Sequence, residues 1–334
     1  MHKIQSLNKY LVGAYATSPT LYNWNENLEL EYLNFLKKSV LIGGLELPFW
    51  GTNLHPFDDE WLLSNLSPKW ENVLTCVPGT MNFIKDDPYF GLSSVNRKSR
   101  LNAIKMYKRA FSSVKKIKNR LGEKSLKGIF ITSAPLNNKS LRNATKEFLF
   151  ESLAELISWD WGNTRIIVEH CDAFTEKNLI PKKGFLSLEE EIDAIKKVNH
   201  EFNSNIGVVI NWGRSAIELR SADGPNQHSK LTTKNELLAG IMFSGTTPNN
   251  NNLYGSWSDL HMPPAPYKDY EYFEEESLMT YENIKETLMN CDLTLLEFIG
   301  VKLLAFPVNS SMEKRVGINE NSLNLLNEII GKIV

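Results

Sequence analysis

The sequence contains few cysteines. Cys76, Cys171 and Cys291 stand far apart, and no two of them have the Cys-x-x-Cys spacing that is typical of zinc and redox sites. A disulfide framework is therefore not expected, and free thiols suit a reducing compartment, so we predict a cytoplasmic protein. Cys171 follows an apolar run and is predicted to be a buried thiol.

Long hydrophobic runs are also missing. Nowhere do eighteen apolar residues follow one another, and the short apolar run near the start of the chain is broken by Gly13 and Pro19. This pattern argues against a membrane span and against a signal peptide.

Neither sign of charge is in excess. The 37 Lys and Arg residues are scattered among 39 Asp and Glu residues, which gives a formal net charge of −2. No basic face is available for nucleic acid, so polyanionic partners are not expected. A GxGxxG turn is also absent after the first predicted strand, where the sequence reads VGAYATSPT, and no nucleotide cofactor is predicted.

What the sequence does contain is a series of short apolar runs with helical periodicity between them. The predicted strands are Tyr10–Ala14, Gly44–Leu47, Asn72–Val77, Gly128–Thr132, Arg165–Glu169, Ile206–Asn211, Gly240–Phe243 and Gly300–Ala305. The predicted helices are Glu29–Lys38, Ser99–Leu121, Lys146–Ile157, Leu188–Phe202, Lys234–Leu238 and Tyr281–Leu288. Alternation of strand and helix implies parallel strands, and eight such units predict a (β/α)8 TIM barrel in one domain, residues 1–334. A doubly wound open sheet is the alternative, although it usually carries the missing glycine-rich turn.

The stretch RIIVEHCD, Arg165–Asp172, is the most informative part of the chain, because an apolar strand ends there in a burst of ionisable side chains. Carboxyl ends of strands form the active-site face of α/β barrels. Adjacent strand residues point to opposite sides, so only one of Glu169 and His170 can face the barrel axis. We expect Glu169 to face inward and to be functional, with an ion pair as the structural alternative. His170 is expected to pack behind the site.

Residues that do not belong in an apolar core close almost every predicted strand, and they include Tyr15, Glu46 with Trp50, Thr75, Ser133, Glu169, Asn211, Ser244 and Lys302. Glu46 could supply a second inward carboxylate. If Lys302 points inward, it needs a partner such as Glu46 or Glu169, or it is an amine of depressed pKa that can form a Schiff base. If it points outward, its stem lies between helices.

The segment INWGRSAIELR places Asn211 at a strand end and Arg214 just after it. A guanidinium just beyond the carboxyl end of a strand is well placed for bidentate binding of an anionic substrate group. Alternatively, Arg214 and Glu218, four residues apart, form a surface pair on a helix. Arg220 could likewise bind an anionic substrate group or form a surface ion pair.

The segment YGSWSDLHMPPAP brings Asp259 and His261 two residues apart in a loop that nearby prolines would stiffen. With Trp257 beside them, they are predicted to belong to a packed lid over the site. We expect Trp257 and Trp50 to contact substrate. Glu169, His261, Asp259 and Asn211 together would suit a divalent cation such as Mn²⁺, Mg²⁺ or Zn²⁺, although no local motif such as HExxH is present.

The motifs GLELPFWG, LTCVPGTM, ESLAELISWDWG, VEHCDA, INWGRSAIE and HMPPAP resemble an uncharacterised bacterial family of unknown function within the xylose isomerase-like TIM barrel superfamily. The resemblance runs from about Val12 to Pro307. In the sugar isomerases and epimerases of that superfamily, Glu, Asp and His residues from strands five to eight hold a divalent metal, and two Glu residues exchange protons with the sugar.

Residue by residue, the resemblance is incomplete. Glu169 matches the strand-five Glu, whereas Asn211 and Arg214 stand where strand six has Asp-x-x-His. Ser244 lies near the position of the strand-seven His, while Asp259 and His261 are similar to the Asp-x-His of related endonuclease-type barrels. The strand-eight Glu has no match, and Lys302 is the nearest polar residue. These departures remove negative charge and add cations, which favours an anionic substrate or metal-free chemistry.

The resemblance implies a cytoplasmic carbohydrate isomerase or epimerase that acts on a sugar or acidic sugar derivative by proton transfer next to a carbonyl. Glu169 would be the general base, His261 or Lys302 its acid partner, and Arg214 the binder of an anionic group. Two alternatives stay open: a metal-free lyase or aldolase that uses a Lys302 Schiff base, and a barrel that binds a sugar without catalysis. Barrels of this superfamily often associate, so a homo-oligomer is a further expectation.

Overall fold

The computed structural model describes residues 9–21, 23–138 and 140–334. Its strands form a closed barrel in which neighbours in chain order are hydrogen-bonded and the first strand pairs with the last. The strands are β1 (Tyr10–Val12), β2 (Ile42–Pro48), β3 (Asn72–Thr75), β4 (Leu126–Ile131), β5 (Arg165–His170), β6 (Gly207–Asn211), β7 (Leu238–Phe243) and β8 (Phe298–Val301). Every pairing is parallel, so the predicted (β/α)8 barrel is confirmed.

Helices surround the barrel and cover the outward faces of the strands. In the described residues they are α1 (Ala14–Thr17), α2 (Glu26–Lys38), α3 (Asp59–Asn65), α4 (Val77–Ile84), α5 (Arg97–Leu121), α6 (Lys146–Ile157), α7 (Leu188–Phe202), α8 (Trp212–Leu219), α9 (Gly224–Lys234), α10 (Tyr281–Met289) and α11 (Met312–Ile333). None of them combines the length and the apolar character that a bilayer span requires. Cys76, Cys171 and Cys291 are free thiols, and Cys171 is buried as predicted.

Each predicted strand overlaps an observed one, but the predicted helix Lys234–Leu238 is wrong. Helix α9 ends at Lys234, and Leu238 is the first residue of β7. Asn235 and Glu236 form a turn between the helix and the strand, and the backbone of Glu236 is left-handed, with φ of +59°. A five-residue segment is too short for helical periodicity to reveal such a turn. Strand β8 ends at Val301, so Lys302 lies one residue beyond it.

An apolar layer fills the barrel below its carboxyl-terminal mouth. Phe130 on β4 and Phe298 on β8 contact each other with ring centroids 5.3 Å apart, although their strands lie on opposite sides of the barrel. Leu11, Val73, Ile167, Val209, Ala239 and Met242 belong to the same cluster. Side chains alternate along a strand, so residues two positions after these layer residues point into the mouth, among them Thr75 after Val73 and Glu169 after Ile167. The apolar layer is therefore the floor of the site.

The floor should contribute strongly to stability. Phe130→Ala removes a fully buried ring and leaves a cavity, so we expect the free energy of unfolding to fall by about 3–5 kcal/mol in urea titrations. Leu101→Ala is the control, because Leu101 is 46% exposed on α5, and it should change stability by less than about 0.5 kcal/mol. Equal losses in the two variants would contradict this view of the floor.

Candidate active site

The mouth of the barrel contains a chain of ionisable side chains whose charges alternate in sign. We call it the charge chain, and its members in order are Glu46, Lys302, Glu169, Arg214, Asp259, Lys183 and Asp172. Each member lies within 4.0 Å of the next, and all of them are buried except Asp259, which is half-buried as a residue although its side chain is only 7% exposed. Buried charges are tolerated only when they are paired, and this arrangement pairs every one.

Lys302 lies at one end of the charge chain, between two carboxylates. Its Nζ is 2.7 Å from Glu46 Oε1 and 3.8 Å from Glu169 Oε1, and it lies over the ring of Tyr15. Lys302 therefore points inward with the partners that sequence analysis named. Glu169 Oε2 accepts a hydrogen bond of 2.9 Å from Thr75 Oγ1, whereas the buried Oε2 of Glu46 has no hydrogen-bond partner in the described residues.

Arg214 occupies the middle of the charge chain. Its Nη1 donates to Glu169 Oε1, and its Nε lies 3.0 Å from Asp259 Oδ2. Helix α8 begins directly after β6, and Asn211 Oδ1 caps it by accepting a 3.1 Å hydrogen bond from the Arg214 backbone N–H. From the sequence, Arg214 was expected to bind an anionic substrate group. In the structure two carboxylates of the protein engage the guanidinium instead.

The loop after β7 carries Asp259 and His261, as predicted, into the mouth. His261 Nδ1 lies 3.0 Å from Ser244 Oγ and 3.4 Å from Asp259 Oδ1. The backbone of His261 is left-handed, with φ of +54°, a conformation that non-glycine residues rarely adopt. Lys183 binds Asp259 Oδ2 from the loop after β5. Lys183 was not among the predicted site residues, because it lies in an irregular loop without a sequence pattern.

The two glutamates beside Lys302 differ in their tendency to ionise. Burial raises the pKa of Glu46 above its ordinary value, even though Lys302 opposes this effect. Burial acts on Glu169 in the same direction, but the charges of Lys302 and Arg214 outweigh it and lower the pKa of Glu169. Burial tends to lower the pKa of Lys302, and Glu46, Tyr15 and Glu169 reverse that effect, so the net pKa is raised and the amine stays protonated.

Burial also lowers the pKa of His261 to about 3, and the nearby Lys302 and Arg214 act in the same direction, so its imidazole is neutral at physiological pH. Burial alone would raise the pKa of Asp259, but Arg214 and Lys183 hold it well below the usual range. Burial raises the pKa of Asp172 as well, at the far end of the charge chain. Of the two carboxylates beside Lys302, Glu46 is therefore the one of raised pKa, and Glu169 is the one that stays ionised.

The remaining predicted substrate contacts lie at the edges of the mouth. Trp50 faces Tyr15 with ring centroids 6.5 Å apart, and its buried Nε1 has no hydrogen-bond partner among the described residues. Arg220 lies over the Trp257 ring at 5.4 Å and donates to Asn178 Oδ1 at 2.8 Å. Arg220 and Trp257 thus form a cation–π contact that holds the two side chains together.

A second polar cluster lies outside the barrel, behind β5. We call it the His170 cluster, and it comprises His170, Glu191, Glu218 and His228. His170 Nδ1 is 2.8 Å from Glu191 Oε2, and His170 Nε2 is 2.9 Å from Glu218 Oε2. Burial opposes charge on His170, but the two carboxylates raise its pKa well above the ordinary value, whereas burial lowers the pKa of His228 to about 4. His170 therefore packs behind the site, as expected, and holds α7 and α8 to the end of β5.

A divalent metal fits the mouth poorly. Glu169, Asp259 and His261 do not bring three ligand atoms within 4.8 Å of one another; in the described part of the chain, only His170, Glu218 and His228 do so. Both oxygens of Glu169 are engaged, and Lys302, Arg214 and Lys183 bring three positive charges to the mouth. A cation placed there would be repelled by the groups that already neutralise the carboxylates.

A barrel with its ionisable residues collected at the carboxyl ends of the strands has the architecture of the xylose isomerase-like TIM barrels. A solved L-ribulose 3-epimerase is similar with a TM-score of 0.59 at 9% identity, over 98% of this chain and 96% of that one. The IOLI protein, solved with a bound zinc atom, is similar with a TM-score of 0.54 at 13% identity, over 97% of this chain and 99% of that one. Likeness at these identities establishes the fold alone.

The family follows from sequence similarity. The model of the domain of unknown function DUF4862 matches residues 11–318, and the chain belongs to that family. An uncharacterised protein of Salmonella typhimurium strain LT2 is 34% identical over 318 residues, which are 95% of this chain and 96% of that protein. The resemblance inferred from the motifs is therefore confirmed.

Removal of Lys302 should destabilise the protein, because it leaves two buried carboxylates without their shared cation. We expect Lys302→Met to lower the free energy of unfolding by about 3–5 kcal/mol at neutral pH, because Glu46 and Glu169 lose their shared cation. Adding Glu46→Gln removes one of the two charges and should recover part of the loss. Urea unfolding measures both effects. Lys332→Met, at a solvent-screened pair with Glu328, should cost much less, and a loss as large as that of Lys302→Met would contradict this expectation.

The His170 cluster makes stability depend on pH. Because the folded-state pKa of His170 is raised, its contribution is complete below the unfolded-state value of about 6.5 and is lost as the pH rises through the folded-state value. The difference in unfolding free energy between the parent and His170→Gln should therefore shrink at alkaline pH. Urea unfolding below and well above that value tests this, with His200→Gln at an exposed histidine as the control. A difference that grows with pH would show the opposite linkage.

Proposed function

We propose that this protein is a carbohydrate isomerase or epimerase that moves a proton at a carbon next to a carbonyl, without a metal in the barrel mouth. The observation that carries the proposal is the pair of glutamates around Lys302, one of raised and one of lowered pKa. Two carboxyl groups whose environments push their pKa values apart are the usual basis of acid–base chemistry at neutral pH. The solved L-ribulose 3-epimerase of the same fold supports a carbohydrate as the substrate class.

The geometry favours Glu46 as the group that accepts and returns the proton. Its Oε2 is without a partner in the described residues, and its pKa is raised, which makes its carboxylate the stronger base of the two. Sequence analysis gave this role to Glu169. Both Glu169 oxygens are held by Thr75 and Arg214, and its pKa is lowered, so it is the weaker base. We assign Glu169 to fixing Lys302 and Arg214.

Lys302 would stabilise the negative charge that develops on the carbonyl oxygen as the proton leaves. Fixed cations in a dry site serve this purpose without reorganisation. A Schiff base requires a deprotonated amine, and the raised pKa of Lys302 works against the lyase or aldolase alternative. His261, neutral and with no hydrogen bond to its Nε2 in the described residues, is placed to exchange a proton with a substrate hydroxyl.

The metal predicted at Glu169, His261, Asp259 and Asn211 is not part of this proposal, because protein cations already satisfy the carboxylates. Cytoplasmic location and self-association remain predictions. An anionic substrate is also disfavoured, since each cation of the charge chain is paired with carboxylates of the protein.

Solvent exchange tests the chemistry before the natural substrate is known. A panel of aldoses and ketoses, L-ribulose among them, is incubated with the protein in D₂O and followed by ¹H NMR. We expect deuterium to enter next to the carbonyl of at least one sugar, and chelators to leave the rate unchanged. Glu46→Gln should slow exchange by about 10²-fold or more, the usual contribution of a general base.

Glu71→Gln is the matched control, because Glu71 lies just before β3, at the opposite end of the barrel, and is half-exposed. It should exchange at the parent rate. If Glu169→Gln stops exchange while Glu46→Gln does not, the base is Glu169. If no sugar exchanges although one binds, the proposal of catalysis fails.

A further inference from the structure

A pocket opens beside Glu46, between the loops that follow β1 and β2. The space that it leaves for ligand atoms is about 70 Å³ and is open to solvent on one side, which suits one small substituent of a ligand and is too little for a whole drug-sized molecule. Its walls are mainly apolar and aromatic, with Tyr15, Leu33, Trp50, Leu54, Phe57 and Leu62 among them. The pocket is therefore suited to an apolar group that lies next to the proposed base.

The charges around this pocket exclude an anion. Among the described residues, no Lys or Arg lines it, and the ionisable lining groups include Glu29, Glu46 and His55. His55 Nε2 is 3.3 Å from Glu29 Oε2, so the histidine is already paired with an acid. A phosphate or carboxylate would meet carboxylates here instead of cations, which is unfavourable in a partly dry site.

Two buried polar atoms of lining residues lack partners in the described residues. Glu46 Oε2 is a hydrogen-bond acceptor, and Trp50 Nε1 is a donor. An unpaired buried polar atom is costly, and a ligand hydroxyl that accepts from the Trp50 indole recovers that cost. Unlike a phosphate dianion, the hydroxyl carries no charge that the neighbouring Glu46 carboxylate would repel.

We propose that the ligand of this site is an uncharged, hydroxylated molecule that carries an aryl or alkyl substituent, with a hydroxyl bound by the Trp50 indole, the substituent held in the aromatic pocket, and Glu46 Oε2 left free to act as the base. This inference rests on the proposed function and narrows its substrate class from carbohydrates in general to apolar derivatives of them. It also replaces the expectation of an acidic sugar.

Binding can be tested without turnover, by ¹H–¹⁵N NMR of protein labelled at its 8 tryptophan indoles. The probes are phenyl β-D-glucopyranoside, methyl β-D-glucopyranoside and D-glucose 6-phosphate, and Trp50→Phe assigns the Trp50 resonance. We expect the phenyl glucoside to shift that resonance and to bind at least about tenfold more tightly than the methyl glucoside, because its ring buries more apolar surface. The phosphate should not shift it. Trp159, which packs against Phe111 and Trp161 on the helical exterior, is the internal control.

Matched variants assign the effect to the pocket. Phe57 is 57% exposed at the edge of the pocket, and Phe202 is 51% exposed on α7, so the two ring deletions are comparable in exposure. Phe57→Ala should weaken phenyl glucoside binding several-fold and leave methyl glucoside unchanged, whereas Phe202→Ala should alter neither.

The inference is overturned if the phenyl glucoside leaves the Trp50 resonance unmoved, if phenyl and methyl glucosides bind equally, or if the phosphate binds more tightly. These outcomes are independent of catalysis. If the probes bind as expected but no sugar exchanges deuterium, the ligand class stands and the proposed reaction is wrong. If a sugar exchanges deuterium but the probes do not bind as expected, the proposed reaction stands and the ligand class is wrong.

Discussion

A protonated lysine held between two buried carboxylates is the interaction on which the rest of this site depends. Lys302 Nζ lies 2.7 Å from Glu46 and 3.8 Å from Glu169, over an apolar floor that keeps the local dielectric low. Any one of these three charges alone would be too costly to bury, and the pairing makes all of them tolerable. Through Glu169, the same interaction extends to Arg214 and Asp259, so it fixes helix α8 and the loop after β7 at the mouth.

The placement of cations explains how a barrel of this fold could act without a metal at its mouth. A metal would neutralise its acid ligands and polarise a substrate oxygen. Here Lys302, Arg214 and Lys183 already neutralise the acids, and Lys302 would be the cation next to the reacting carbon. Because Arg214 and Lys183 are fully engaged by carboxylates, they stiffen the site more than they attract ligands. The aromatic pocket beside Glu46, which no Lys or Arg of the described residues lines, is consistent with this division of roles.

Much of the fold could be predicted from sequence, because eight apolar runs separated by helical periodicity have few arrangements other than a barrel. Strand alternation also predicted correctly that Glu169 faces inward and His170 outward. The ion pairs between site residues were harder to predict. Arg214 was expected to bind substrate, but only the three-dimensional structure shows that Glu169 and Asp259 both reach it. Lys183 lies in an irregular loop, and helix Lys234–Leu238 was wrong because a five-residue segment is too short to have a diagnostic period.

The most direct test of the account is a pH titration of the two glutamates by ¹³C NMR on protein labelled at the glutamate carboxyl carbons, with Glu46→Gln and Glu169→Gln used for assignment. The account predicts that Glu169 stays ionised below the ordinary glutamate pKa of about 4.3 and that Glu46 takes up its proton above that value. If Glu169 instead takes up its proton at a higher pH than Glu46, Lys302 and Arg214 do not divide the two carboxylates as described, and the assignment of Glu46 as the base is contradicted.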